Sequence, residues 1–349
     1  MTRTWSLTWH GVRTVAWLEL RQRVRSSRWL IVLLLWVVAV GLITFLTDLA
    51  VSPTPGTPAG VPDPSGGVMF SVVAFFVLSL GVLVAPALSA TSVNGDRAAG
   101  TLATLQVTLL SPAEIAVGKL LAAWAVSLAF LATAVPFVVW AYLSGGTPFG
   151  RVLSALAVIA VVLAVVCAIG LGWSALTARS ATSAVMTYLS VASLCLGSVI
   201  LFGLTVPLVI QEEQVQVRDV TAQGTCEVRP QLTTVVHTER TWWLLALSPY
   251  VVVADAAPAP ELGPDVFAFD PLSTIRDGVR LAKAGPPDTY DWCPDPQTGV
   301  VQGEGPEDGG AVWPWGLGAN LLIGAGAVVL TVRRLRTPTR TLPRGTRVA

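Results

Sequence analysis

The chain has 349 residues, of which 53% are hydrophobic and only 12% charged, with a net charge of +1. Soluble domains carry about 25% charged residues, so the composition excludes a string of ordinary soluble domains and predicts an all-α integral membrane protein. Two His and four Cys are too few for a histidine-rich metal centre, and neither a cofactor nor a nucleic-acid partner is expected.

Residues 1–28 open the chain. Trp9, Val12, Ala16, Leu20 and Val24 follow i, i+3, i+4 spacing, while Arg13, Arg21, Gln22 and Arg25 fall largely on other faces. This predicts an amphipathic helix in the membrane interface, ending at Ser26-Ser27. Its length before the first apolar run argues against a short cleaved leader.

Crossing a bilayer as helix takes about 20 apolar residues. Six runs qualify: 29–46, 68–92, 120–143, 152–176, 182–210 and 312–332, and none contains Asp, Glu, Lys, Arg or His. Six arginines precede the first run and six follow the last, in the basic tail 333–349, whereas the loop 47–67 has neither Lys nor Arg. The positive-inside rule then predicts both termini in the cytoplasm and a multi-pass protein of the cell membrane. Arg151 departs from the rule and is expected to snorkel to the interface from the mouth of the fourth run. Small and polar residues of the fifth and sixth runs, such as Ser183, Thr187, Gly316 and Gly324, are expected to serve close helix packing first and a substrate path second.

The segment between the second and third runs, near 96–112, is too patterned for a connector. Asp96 and Arg97 sit at the membrane edge. Gly100 and Thr101 then open a stretch with Leu102, Leu105 and Leu109 at helical spacing, which Ser111-Pro112 stop. Gly118-Lys119 launch the next run. A short amphipathic helix lying flat at the bilayer surface reads as a docking element.

Residues 211–311 form the long non-spanning region, with six Lys/Arg against sixteen Asp/Glu. Within it, 242–254 is too short to cross about 30 Å of hydrocarbon and reads as interfacial or re-entrant, with Trp242, Trp243 and Tyr250 at headgroup level. Residues 273–284 are the clear helical stretch, and the rest reads largely as loop. Cys226 and Cys293 are the region's two cysteines and are expected to form a disulfide outside the cell. Cys167 and Cys195 lie within spans and read as small apolar packers.

Enzyme chemistry has no foothold in these motifs. There is no CxxC pair, and Gly118-Lys119 lacks the preceding glycine and following hydroxyl of a phosphate loop. The spans carry no ionisable residue with which to couple an ion gradient. Energy for transport would therefore come from another subunit.

The order Asp-Arg (96–97), Gly-Thr-Leu (100–102), Ser-Pro (111–112) and Gly-Lys (118–119) closely resembles the permease subunits of ABC-2 type transporters, as does the start Leu18-Glu19-Leu20-Arg21. Relatives usually carry Glu near Asp96, Glu after Gly-Thr-Leu and Thr-Pro; here Ala103 fills the second acidic slot. The resemblance implies that Asp96, Arg97, Gly100, Thr101, Leu102, Leu105, Leu109, Pro112, Gly118 and Lys119 form a coupling helix and its flanks, seated on a separate ATPase subunit. It further implies two permease chains, as homodimer or heterodimer, usually working as an exporter. The alternative from another class is a membrane scaffold or sensor whose acidic region binds a ligand or protein.

Overall fold

A computed structural model describes residues 5–24, 27–51, 65–101, 110–145, 147–220, 225–257, 270–287, 289–293 and 308–336. Its elements in chain order are α1 (Trp9–Val24), α2 (Ser27–Val51), α3 (Ser65–Ser89), α4 (Asn94–Ala98), α5 (Pro112–Leu143) and α6 (Phe149–Leu176). Then come α7 (Ser180–Ala192), a π-turn (Ser193–Gly197), α8 (Ser198–Thr205), β1 (Ile210–Val220), β2 (Cys226–Val236), α9 (Trp243–Ala246), α10 (Pro249–Ala256), α11 (Pro271–Ala284), β3 (Thr289–Asp291) and α12 (Trp313–Arg334).

Six of the described helices, counting α7 through α8 as one, are long and apolar enough to cross a membrane. They coincide with the six apolar runs, so this is a multi-pass membrane protein. The central helices are α3, α5 and α6, around Phe70, Val73, Leu78, Phe130, Ile159 and Leu163. The most apolar windows of α2 and of α7–α8 are only 22% and 17% buried, against 67% for α3. The two sparsely covered helices are therefore the bundle's most open flanks.

Small residues permit the tightest approaches. A Cβ on Gly172 would lie 3.1 Å from Ala327 of α12, and one on Gly316 would strike the Ala246 carbonyl. Ser183 is fully buried and donates from Oγ to Ala90 O at 2.6 Å. These contacts bear out the packing reading for Ser183, Gly316 and their neighbours.

Three expectations need correction. The helix of the third span starts at Pro112 rather than at Gly118-Lys119, because Ser111 caps it and Pro112 occupies its first turn. The N-terminal helix buries Gly11, Val12, Val15 and Glu19 and leaves Trp9 and Trp17 outside. Its apolar residues lie on two sides, so of the expected stripe Val12 and Leu20 pack on the bundle while Trp9 does not.

The third correction concerns the class. The region after α8 holds a three-stranded sheet in the order β2-β1-β3, so the chain is mostly helical rather than all-α. β1 and β2 pair antiparallel over eleven residues each, from Ile210↔Val236 to Val220↔Cys226, and β3 adds in parallel at Gln216–Arg218. Most of the hairpin is exposed; Val217 and Val235 mark its buried side. A Cys226–Cys293 disulfide ties the turn end of the β1–β2 hairpin to the chain just beyond β3, with Cα atoms 6.2 Å apart.

Residues 242–254 fold as two short helices, α9 and the start of α10, separated by Leu247-Ser248. Pro249 starts α10, whose Val251–Ala254 are buried. Tyr250 turns into the bundle rather than out to headgroups, with its ring 5.2 Å from Phe75 and its hydroxyl 3.1 Å from Ser79 Oγ. Asp255 ties this element to α11 and α12. One oxygen takes the Arg280 Nε–H at 2.5 Å, and the other takes the N–H groups of Val312 and Trp313 at 2.6 and 2.7 Å.

Candidate functional site

Residues 90–101, which follow α3, lie at the end of the bundle opposite the sheet. Their first turn is pinned to α6, since the Val93 and Asn94 N–H groups both donate to the buried Ser174 Oγ at 2.9 and 3.2 Å. α4 carries Asp96 and Arg97, both partly exposed, and its turn ends at Gly100, where φ is +73°. A side chain there would be strained, which explains the glycine. Thr101 Oγ1 donates back to Asp96 O at 3.3 Å. Leu102, Leu105 and Leu109 lie outside the described residues, as does the tail beyond Arg336.

Lys119 is the centre of the arrangement. Its side chain is fully buried, and Nζ donates to Glu19 Oε1 of α1, to Asp96 Oδ2 of α4 at 2.5 Å and to Ser92 O at 3.0 Å. Arg23 Nε stands 3.8 Å from the second Glu19 oxygen. One ammonium thus joins three separate stretches of chain. Such a group is costly to bury alone, and only close partners with full hydrogen bonding make it tolerable.

A second set of contacts explains why α1 reaches this point. Ser111 and Glu114 form a capping box: Glu114 N–H donates to Ser111 Oγ at 3.1 Å, and Ser111 N–H donates to Glu114 Oε2 at 2.7 Å. The other Glu114 oxygen takes the Thr8 N–H at 2.8 Å and the Thr8 hydroxyl at 2.5 Å, while Ser111 Oγ donates to Ser6 O at 2.5 Å. The cap of α5 is therefore also the anchor of the chain leading into α1. Gly118 completes the seam. A Cβ there would lie 2.6 Å from Val15 Cβ and 3.0 Å from Val12 O.

The structure thus brings Asp96, Pro112, Gly118 and Lys119 together, with Arg97, Gly100 and Thr101 on the adjoining turn. It adds Glu19, Glu114 and Thr8, to which no motif assigned a role. Glu19 had a signal in the sequence: it is the one acidic residue in the basic stretch 1–28. An acid retained among six arginines asks for a specific cation.

A separate apolar cleft of about 560 Å³ lies between α6, α7 and α12, lined by Trp173, Met186, Leu189, Ile323 and Leu330 among others. Ser190 lies on its wall, where its Oγ accepts the Trp173 indole N–H at 2.8 Å.

The family described as ABC-2 family transporter protein matches residues 13–291, well over half of the chain. The chain belongs to the ABC-2 transporter family. No curated protein matches it. The matched stretch of this ABC-2 permease runs from Arg13 in α1 to Asp291 in β3, so it takes in the Lys119 cluster, five spans and the sheet. Members of the family are membrane transport subunits rather than catalytic ones.

Proposed function

We propose that this chain is the permease subunit of an ATP-driven ABC exporter, powered by a separate ATPase that docks at the Lys119 end. The observation that carries the reading is the buried Glu19–Lys119–Asp96 cluster. It makes α1, the bridge residues 90–101 and α5 one mechanical unit, next in sequence to the amphipathic stretch 102–109. On this reading that end faces the cytoplasm, in line with the arginines on both termini, and the sheet faces outside the cell membrane, where Cys226 and Cys293 would stay oxidised. The sparsely covered α2 and α7–α8 are the faces left for lipid and for a second permease chain. The apolar cleft beside α7 suits an amphipathic cargo better than a small ion.

Leu105→Asp tests the docking. A buried apolar side chain is worth about 1.5–3 kcal/mol, so the variant should lose ATPase co-purification and coupled ATPase activity while the permease still inserts. Normal co-purification together with normal coupled activity would sink the proposal.

A further inference from the structure

Arg151 does not snorkel to water. It is 1% exposed, the largest of the fully buried side chains, and sits in the first turn of α6 at the sheet end of the bundle. Helical side chains lean toward the N-terminus, so the guanidinium points back over the start of its own helix. Its Cζ lies 5.7 Å from the centre of the Phe70 ring of α3. Its Nε and Nη1 have no hydrogen-bond partner among the described residues, and neither has the buried hydroxyl of Thr147, one turn earlier. Stacking on Phe70 is worth about 2 kcal/mol when desolvated, well short of the several kcal/mol that burying an unpaired ion costs.

Among the described residues no acid is hydrogen-bonded to it, although Asp270 and Arg276 lie near enough for their charges to act on Arg151. The Asp270 oxygens are occupied by the Ser71 hydroxyl, the Ser273 N–H at 3.0 Å and the Ser273 hydroxyl at 2.7 Å, as the cap of α11. Arg276 itself turns to Asp277.

Arg151 belongs to the first turn of α6, which has no side-chain cap and whose free N–H groups carry partial positive charge. The start of α3 lies close by, packed against the turn that follows α5: a Cβ on Gly66 would strike the Gly145 carbonyl, and Gly145 has a φ of +97°.

We propose that Arg151, Thr147 and the start of α6 bind a phosphate group. A planar fork of donors, a free hydroxyl and a helix N-terminus match a tetrahedral oxyanion with several acceptor atoms. The group has two sources at this depth: the headgroup of a phospholipid or a free phosphate. The site does not depend on the coupling proposal, nor on which side of the membrane the sheet faces.

The test uses the full chain purified in phosphate-free maltoside, with thermal unfolding followed by tryptophan fluorescence. Inorganic phosphate is one arm and phosphatidylglycerol in mixed micelles is the other. At least one should raise the unfolding midpoint of the unsubstituted protein. Arg151→Gln should need about tenfold more of that ligand or more, the expected loss of a charge-assisted bond. A response to the lipid alone assigns the headgroup, and a response to both assigns the phosphate itself. Should Arg151→Gln fail to fold, Arg151→Lys, which keeps the charge but loses the fork, is scored in the same way. Equal responses of the unsubstituted protein and the variant, or no response to either ligand, would overturn the site.

Discussion

Lys119→Met probes the joint at the heart of the proposed coupling. It removes the ammonium, keeps most of the side-chain volume and strands Glu19 and Asp96 against each other at the seam of α1, α4 and α5. Removing one partner from a buried ion pair costs about 3–5 kcal/mol. Asp96 keeps a quarter of its side-chain surface exposed and can rehydrate in part, which favours the lower half of that range. At about 2.1 cal/mol/K per residue the chain's unfolding entropy is roughly 0.7 kcal/mol/K, so the midpoint should fall by on the order of 4–6 °C. Tryptophan fluorescence during thermal unfolding in detergent reads this directly. The triple variant Glu19→Leu, Lys119→Met, Asp96→Leu supplies the second arm. Apolar replacement of a whole buried ion cluster is often neutral or stabilising, so the midpoint should recover. Coupled ATPase activity should not recover, because the charged tie between bridge and α5 is gone. An unchanged midpoint in Lys119→Met would refute the buried lock. A triple variant that couples normally would refute its role in transmission.

Gly118→Val should push α1 off α5, since the new Cβ meets Val15 at 2.6 Å; overpacking costs about 1–3 kcal/mol, and trypsin should then cut faster at Arg21 and Arg23. Cys226→Ser with Cys293→Ser should loosen the sheet. Closing a loop of 67 residues is worth about 4 kcal/mol in the chain-entropy treatment, and faster proteolysis of the hairpin with the bundle intact would register its loss. Membrane-impermeant thiol labelling in whole cells should reach Thr298→Cys and miss Thr104→Cys and Thr341→Cys; external labelling at 341 would mean that 242–254 spans after all or that one of the six runs does not.

The spans were legible because a bilayer demands length and apolarity, and neither needs a partner to be recognised. The start of α5 was legible in principle, too. Ser111-Pro112-Ala113-Glu114 spells a capping box with proline at the first helical position, but attention to the apolar run placed the start too late. The sheet escaped because most of its side chains face out. Glu212, Glu213, Arg218 and Glu227 dilute the alternation, and only Val215 and Val217 on β1 keep a clear period of two. The packed face of α1 was only partly legible. Val12 and Leu20 of the expected stripe do pack on the bundle, but Trp9, Trp17 and Leu18 are as apolar and point away from it, so hydrophobicity alone does not separate the two sides.

The partners of Lys119 could not be read at all, because Glu19 is a hundred residues away and it is the docking of α1 on α5, through Thr8 on Glu114 and Val15 on Gly118, that brings them together. What the sequence did display is where charge is permitted. The apolar runs exclude it, and the structure gathers what remains at two ends: Glu19, Asp96, Glu114 and Lys119 at one, Arg151, Asp255, Asp270 and Arg280 at the other. α5 runs between them. Its 32 residues span about 48 Å, starting at the Ser111 cap and ending at Leu143, two residues before the Gly145 turn that lies against α3. Close-packed helices transmit displacement because they deform little. On the proposed reading, a push on the Lys119 lock would therefore be felt at the Arg151 end through α5 itself. Pro136, which lacks the N–H for the helix's internal bond, marks the point along α5 where that transmission can bend.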